Sequence, residues 1–369
     1  MREKYKACAR KIFLSIKGFK QSLNFIRTYF SLRDWKIKHP PLLAILILTR
    51  RCNLRCEMCN LWKYKYKNNE MSKEEIFRLV DDIEKLGVTT ISISGGEPLM
   101  REDVFEIMNY VKGKGMFLDI STNGTLITNS VAKKITEIGV DTISVSLDSD
   151  DPEIFDRLRG IKGAHDKAVL GIKNLLNVSN NKTRITVNIL LSPQTLDRLL
   201  ETVNFLSNLG IKNIGFIPVH NFNMKKSLSF SECQKNKLEE IVNKIVNIER
   251  EKGIIDNTEK YLETIKKFIL KGERSRACGA GFLTVVIDSN GDIYPCFGMF
   301  ELGKKIGNIH NLDIKDFWYS ELYETLRLNL LNCKECVWNC QEELNIVFDS
   351  VLRGKNENIA REPGNKISR

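Results

Sequence analysis

From residue 42 onward, short apolar runs alternate with longer amphipathic stretches. The runs at 42–49, 90–94, 117–121, 142–147, 184–191 and 213–219 are rich in Ile, Val, Leu and Phe with scattered Ser and Thr, as in strands of a covered parallel sheet. Between them, 72–86, 102–114, 128–138, 165–178 and 195–209 carry apolar residues at helical spacing. The first of these helices is well marked. Ser72 and Glu75 form a capping-box pair, Ile76, Leu79, Val80, Ile83 and Leu86 share one face, and Gly87 supplies the stop. Six strands with five crossovers predict an α/β fold, a partial (β/α)6 barrel over 42–229 with its chemistry at the C-terminal ends of the strands.

The flanking regions differ in character. Residues 230–277 hold two polar helical segments, a connector or lid. Residues 278–345 begin with a hairpin around Asn290-Gly291 and continue with spaced cysteines. Residues 346–369 read as a tail, without periodic pattern from Gly354. At the other end, 1–41 form a basic arm in which Ile12, Ile16, Phe19, Leu23, Ile26 and Phe30 share one helical face. Lys11, Lys17, Lys20 and Arg27 fall on other faces, and His39-Pro40-Pro41 ends the helix. Such a stripe docks onto the protein's own body, onto an anionic membrane surface, or onto a partner protein.

Charge sharpens this picture. The chain of 369 residues carries a net +11, yet residues 1–38 hold eleven Lys/Arg against two Asp/Glu. The rest is close to neutral, which argues against a nucleic-acid binder. No apolar run approaches the roughly 18 residues of a membrane span. Lys17 and Lys20 interrupt what would be the core of a signal peptide, so the expected location is the cytoplasm, peripheral to the inner face of the membrane if the arm binds lipid.

Eight of the ten cysteines fall into groups: Cys52, Cys56, Cys59; Cys278 and Cys296; Cys333, Cys336, Cys340. Cys8 and Cys233 stand alone. Clustered thiols without a secretion signal read as metal ligands in a reducing compartment. The first group lies in the loop after the first strand. Three thiolates leave a four-iron cluster with one open iron, as a catalytic centre needs. A structural zinc site with a fourth ligand from elsewhere is the competing reading, in a binding protein without catalysis.

The CxxxCxxC spacing at this place resembles the signature of the radical S-adenosylmethionine (SAM) superfamily. Gly95-Gly96-Glu97-Pro98 after the second strand is similar to the family's GGEP motif. The resemblance implies that Glu97 meets the amino group of the methionine moiety. Ser121 and Asn123, in Ser121-Thr122-Asn123-Gly124, resemble the segment near the ribose and carboxylate. Arg159 resembles an arginine used on the methionine carboxylate, and Met58 takes the place of an aromatic near the adenine. Asp148 reads on its own as a helix N-cap or turn residue. The reaction implied is reductive cleavage of S-adenosyl-L-methionine at a [4Fe-4S] cluster. The resulting 5′-deoxyadenosyl radical then takes a hydrogen atom from a substrate, with no side-chain base needed for this step.

Cys278, Cys296, Cys333, Cys336 and Cys340 resemble the C-terminal extension of SPASM and the shorter twitch proteins, which carry auxiliary [4Fe-4S] clusters. Five cysteines point to one auxiliary cluster, with either Cys336 or Cys340 completing it. A closed cluster suits electron transfer and hence a net redox modification by an oxidoreductase-type enzyme. The implied partners are an electron donor such as flavodoxin or ferredoxin, and a ribosomal peptide or protein, a sugar-like small molecule, or a lipid-linked or glycan substrate. The 41 residues before the first strand are shorter than the recognition domain of many peptide maturases, which weighs against a leader peptide.

Overall fold

Six parallel strands follow one another in the sheet: β1 (Leu43–Thr49), β2 (Thr90–Gly95), β3 (Phe117–Thr122), β4 (Thr142–Ser146), β5 (Arg184–Leu191) and β6 (Ile214–Pro218). Each pairs in parallel with its neighbour in sequence. The computed structural model of the protein describes residues 19–31, 39–63, 70–178, 182–220, 222, 229–274 and 276–359. Within them lie α1 (Phe19–Ser31) and the crossover helices α2 (Lys73–Leu86), α3 (Val104–Gly113), α4 (Asn129–Ile138), α5 (Pro152–Arg159), α6 (Ala164–Val178) and α7 (Leu199–Asn208).

This is the partial barrel expected from the hydrophobic pattern. The Ser72–Glu75 capping box is present, and Gly87 ends α2 at φ +100°, where an L side chain would be strained. One element was hidden. α5 is only eight residues long, started by the N-cap Asp151 and Pro152 and ended by Gly160.

Strand alternation separates two environments. On β3, Leu118, Ile120 and Thr122 are buried, the first two in the core shared with the helices. Asp119 and Ser121 take the opposite, lumen face. β4 repeats the pattern with Ile143 and Val145 in that core, and Ser144 and Ser146 on the lumen side. Gly215 shares that side with Asn188, since a Cβ on Gly215 would meet Asn188 Oδ1 at 2.2 Å.

The cysteine-rich extension is not a separate body. Its first strand, β7 (Thr284–Ile287), pairs in parallel with β1, and β8 (Asp292–Tyr294) and β9 (Gly307–Asn308) add antiparallel strands. The result is one nine-stranded sheet in the order β6-β5-β4-β3-β2-β1-β7-β8-β9. At its other edge, α8 (Glu232–Lys252) and α9 (Glu259–Lys271) flank a segment that runs along β6. There Ile214 N donates to Ile254 O (2.8 Å) and Asp256 N to Ile214 O (2.7 Å). The segment expected as a connector or lid therefore covers an exposed strand edge.

Helices α10 (Phe297–Glu301), α11 (Ile314–Trp318), α12 (Glu321–Leu330) and α13 (Asn339–Ile359) complete the extension. Residues 346–359, expected as tail, belong to α13, which buries Ile346 and Phe348. Residues 360–369 lie outside the described residues, as do Cys8, Lys11, Ile12, Ile16 and Lys17 of the arm. The described part of the arm corrects the expected docking. Phe25 and Tyr29 pack on Phe348, with ring centroids 4.9 and 6.2 Å away, while Ile26 and Phe30 of the predicted stripe are exposed. Among the described residues no helix is long and apolar enough to cross a membrane.

Candidate active site

After β1 ends at Thr49, the chain crosses the mouth of the barrel carrying Cys52, Cys56 and Cys59. Trp62 Nε1 donates to Cys56 O (3.1 Å), and Arg55 Nη1 donates to the carbonyls of Cys52 (2.7 Å) and Leu54 (2.8 Å). Arg55 N and Glu57 N donate to Arg159 O and Leu158 O, both at 2.9 Å, so the end of α5 is laced into the loop. Gly160 permits that approach: at φ +70°, its Cβ would stand 2.5 Å from Arg55 O.

The three thiols lie on one loop, and Cys56 acts on the ionisation of both Cys52 and Cys59. Burial pushes the Cys59 thiol up to about 12 and raises that of Cys52, with Cys56 adding to both. Several donors nevertheless aim at these sulfurs. Leu54 N stands 3.4 Å and Asn123 Nδ2 3.9 Å from Cys52 Sγ, and Arg159 Nη1 is 3.7 Å from Cys56 Sγ. Donors around a sulfur favour its anionic, metal-bound form, so the loop suits an iron–sulfur cluster. Metal uptake here must displace protons. Half-buried Met58 lies between the last two cysteines and packs against the barrel core.

The GGEP segment is locked onto this loop. Gly96 N donates to Thr49 O (2.8 Å) and Glu97 N to Arg51 O (2.7 Å). A Cβ on Gly95 would meet Thr49 O at 2.3 Å, and one on Gly96 would meet Arg51 O at 2.2 Å. The two glycines thus allow one backbone to lie against another, a role beyond the ligand approach expected of them. Glu97 is fully buried. Its carboxylate accepts from Thr122 Oγ1 (2.8 Å), Asn123 N (2.7 Å) and Leu99 N (3.1 Å). Burial pushes its pKa up to about 7 against the pull of those donors. A carboxylate has about four acceptor positions, so one remains.

Asn123 sits where these groups meet. Its amide donates to Asn53 Oδ1 (2.8 Å) and its Oδ1 accepts from Thr125 Oγ1 (2.6 Å). Ser121 is half-buried one residue before Thr122, on the lumen face. Arg159 is held beside this loop by an acidic partner. Its Nε and Nη2 both lie 2.7 Å from Asp148 Oδ2. Asp148 is therefore the partner of Arg159, while Asp151 is the N-cap. Burial works against the Arg159 charge, but Asp148 and the Cys56 sulfur outweigh it and raise its pKa.

In the extension, Cys278, Cys296, Cys333 and Cys336 form a second group. Cys296 feels the charges of the other three, and burial raises its thiol pKa well above the ordinary value. A Cβ on Gly298 would lie 3.0 Å from Cys336 Sγ and 3.9 Å from Cys296 Sγ, so glycine leaves these sulfurs room. Cys340 departs from the group. Among the groups acting on the half-buried Cys340 is Asp119 of the barrel, and Cys340 packs against the cluster of Ile45 and Ile47. Exposed Cys233 joins neither group. Between the two groups runs an aromatic wall. Phe297 and Trp338 are 5.0 Å apart, Trp338 and His220 4.7 Å, and His220 and Phe222 5.4 Å. Asn60 Nδ2 closes the path by donating to Phe222 O (3.2 Å).

No histidine completes either thiol group. His220 Nε2 accepts from Val337 N (3.1 Å), His39 precedes β1, His165 lies in α6, and His310 approaches Glu75. Among the described residues, no three His, Cys, Asp or Glu side chains converge tightly enough for a single metal ion.

Two known families match the chain in these regions. The Radical SAM superfamily matches residues 46–206, and the SPASM iron–sulfur cluster-binding domain matches 278–341. A probable GTP 3′,8-cyclase of Methanocaldococcus jannaschii is 30% identical over 229 residues, 61% of this chain and 72% of that protein. The chain belongs to the radical SAM superfamily. Other radical SAM relatives match over less of their length. The Fe-coproporphyrin III synthase of Methanosarcina barkeri is 46% identical over 128 residues, 34% of this chain and 32% of that protein. The first curated relatives are spanned over only about a third to a half of their length (32%, 48% and 42%). Streptococcus suis SuiB bound to S-adenosylmethionine shares the fold, with a TM-score of 0.64 at 22% identity over 78% of this chain and 68% of that one.

Three residues of this radical SAM site were not singled out from the sequence: Thr122, Asn53 and Asp119. Thr122 stood within a recognised motif, and strand alternation separates it from Ser121. Asn53 and Asp119 carried no signal of their own, because their roles arise from contacts across strands and loops.

Proposed function

We propose that this protein is an oxidoreductase-type radical SAM enzyme with two [4Fe-4S] clusters, one held by Cys52, Cys56 and Cys59 and an auxiliary one held by Cys278, Cys296, Cys333 and Cys336. When bound, the first cluster supplies the electron that splits S-adenosyl-L-methionine into methionine and a 5′-deoxyadenosyl radical able to take a substrate hydrogen atom. Three cysteines on one loop at the C-terminal end of β1, with donors aimed at the Cys52 and Cys56 sulfurs and buried Glu97 next to that loop, carry this reading.

The chain's own residues have defined tasks in it. The remaining acceptor position of Glu97 takes an ammonium group, whose charge holds the carboxylate ionised. Asn123 and Arg159 steady the sulfurs by hydrogen bonding, and Asp148 holds Arg159 in place. Ser121 offers a hydroxyl at the lumen rim, and Met58 an apolar face for the adenine. The aromatic wall of His220, Trp338 and Phe297 excludes water between the thiol groups. An auxiliary cluster held by Cys278, Cys296, Cys333 and Cys336 would supply an electron acceptor behind that wall, as an oxidoreductase-type reaction requires.

The lumen supports a polar substrate. Ser92, Asp119, Ser121, Ser144, Thr186 and Asn188 line it, and Ser92 Oγ donates to Asp119 at 2.6 Å. Such a surface suits a hydroxyl- or amine-bearing small molecule better than an apolar one. The reductant is a flavodoxin or ferredoxin, and the location is the cytoplasm, where thiols stay reduced.

Anaerobic reconstitution with S-adenosylmethionine and dithionite tests the proposal. Brown protein with about eight irons that forms 5′-deoxyadenosine is expected. Iron-filled protein that neither binds nor cleaves the nucleotide overturns the catalytic reading, and colourless protein holding zinc supports the binding-protein alternative.

A further inference from the structure

Arg274 and Glu342 form a buried ion pair at the second thiol group. Their side chains are 1% and 0% exposed, and Arg274 Nη2 stands 2.8 Å from Glu342 Oε2. Nη1 turns away from this contact and donates to Cys333 O (2.9 Å), and the same side chain hydrogen-bonds the sulfur of Cys278. One guanidinium thus bridges two cysteines from distant parts of the chain.

Glu342 is itself held from several sides. Asn345 Nδ2 donates to its Oε2 (2.9 Å), and Arg276 Nη1 approaches its Oε1 (3.5 Å). Asn345 Oδ1 in turn accepts from Gly279 N (2.8 Å), the residue after Cys278. α13 therefore fixes the guanidinium against the thiol group through a connected set of polar contacts.

The charge of Arg274 reaches most of that group. Burial raises the thiols of Cys333 and Cys336, and the guanidinium is among the groups pulling both the other way. Burial also works against the Arg274 charge, yet Cys278 and Glu342 outweigh it and raise its pKa. Apolar residues can often replace a buried ion pair without loss of stability, so packing alone gives no reason for a cation here.

We propose that Arg274 is a positioning residue that raises the reduction potential of the auxiliary cluster, with Glu342 holding it and partly offsetting its charge. This rests on the assignment of that cluster to Cys278, Cys296, Cys333 and Cys336. A cluster with four thiolate ligands is anionic, and an added electron makes it more so. A fixed cation against those ligands favours the reduced form, and a carboxylate behind the cation weakens the effect.

Potentiometric titration followed by EPR tests this without turnover. Full-length protein carrying Cys52→Ala, Cys56→Ala and Cys59→Ala serves as the parent, so that only the auxiliary cluster is read. It should retain about four irons. Arg274→Gln should lower the ratio of reduced to oxidised cluster at the parent's midpoint about tenfold, and Glu342→Gln should raise it. Arg274→Lys, which keeps the charge, should move it least. Should Arg274→Gln lose its iron, the upward shift in Glu342→Gln still decides. Unchanged midpoints, or shifts of one sign in both neutral variants, overturn the role of Arg274 and leave the cluster assignment standing. A parent without about four irons overturns that assignment, and the proposal with it.

Discussion

Arg159 and Asp148 form a buried ion pair whose third arm, Arg159 Nη1, points at the sulfur of Cys56 from 3.7 Å. Asp148 is 1% exposed and also accepts from Leu190 N (3.0 Å), so it is held by the next strand as well as by the arginine. The pair ties α5, β4 and β5 to the cysteine loop.

Breaking it from either side strands a charge. Asp148→Asn and Arg159→Met should each destabilise the protein by about 3–5 kcal/mol, because the surviving partner stays buried and unpaired. The double variant should cost clearly less than the sum of the two. Urea unfolding of the four proteins reads this coupling, and strictly additive losses would show that the pair does not act as a unit.

Gly96 makes a second, sharper prediction. A methyl group there would press on the carbonyls of Arg51 (2.2 Å) and Arg50 (2.6 Å), both backbone atoms that cannot swing aside. Gly96→Ala should part the Glu97 segment from the cysteine loop. The variant is expected to lose about half of its iron and all nucleotide cleavage while keeping the auxiliary cluster's absorption. Retention of the full iron complement would mean the loop forms without this contact.

Cys336 and Cys340 separate where sequence spacing left them open. Cys336 is acted on by the charges of Cys278 and Cys333, whereas Cys340 packs against the barrel cluster of Ile45 and Ile47. Cys336→Ser should therefore remove about four irons, and Cys340→Ser should remove none. Iron analysis with Mössbauer spectroscopy distinguishes the two, and the reverse pattern would exchange their roles.

These cases show what the sequence carried and what it did not. The barrel was legible because every strand and every crossover helix of 42–209 except α5 announces itself locally, through alternation, capping and stop signals such as Ser72, Glu75 and Gly87. The thiols were legible because ligand spacing is a local property. The Arg159–Asp148 pair was not, since the ten residues between them turn through α5, a helix too short to register. The joining of β7 to β1 was hidden for a related reason: partners 241 residues apart, Leu43 and Thr284, leave no mark on each other's surroundings in sequence. Phe25 and Tyr29, which anchor the arm on Phe348, lie off the most regular apolar stripe, so its spacing did not mark them.

Asp119 gives a prediction in pH. Burial pushes its pKa up to about 6, with Asp256 adding and the Ser92 hydrogen bond opposing. An unfolded chain ionises the same group near 3.9. Below both values the carboxyl is protonated in either state and contributes nothing. As pH rises, the unfolded chain loses its proton first and is favoured, and above about 6 the folded state carries the full penalty, on the order of 1–3 kcal/mol. Asp119→Asn keeps an acceptor for Ser92 and removes the charge. It should therefore stabilise the protein by that amount at pH 8, with the gain falling by roughly half at pH 5. Chemical denaturation at the two pH values measures the difference. A gain independent of pH would show that Asp119 ionises in the folded lumen as it does in the unfolded chain, whereas a gain that keeps growing by about 1.4 kcal/mol per pH unit up to pH 8 would show that it stays protonated there and offers a substrate amine a neutral acid in place of a counter-charge.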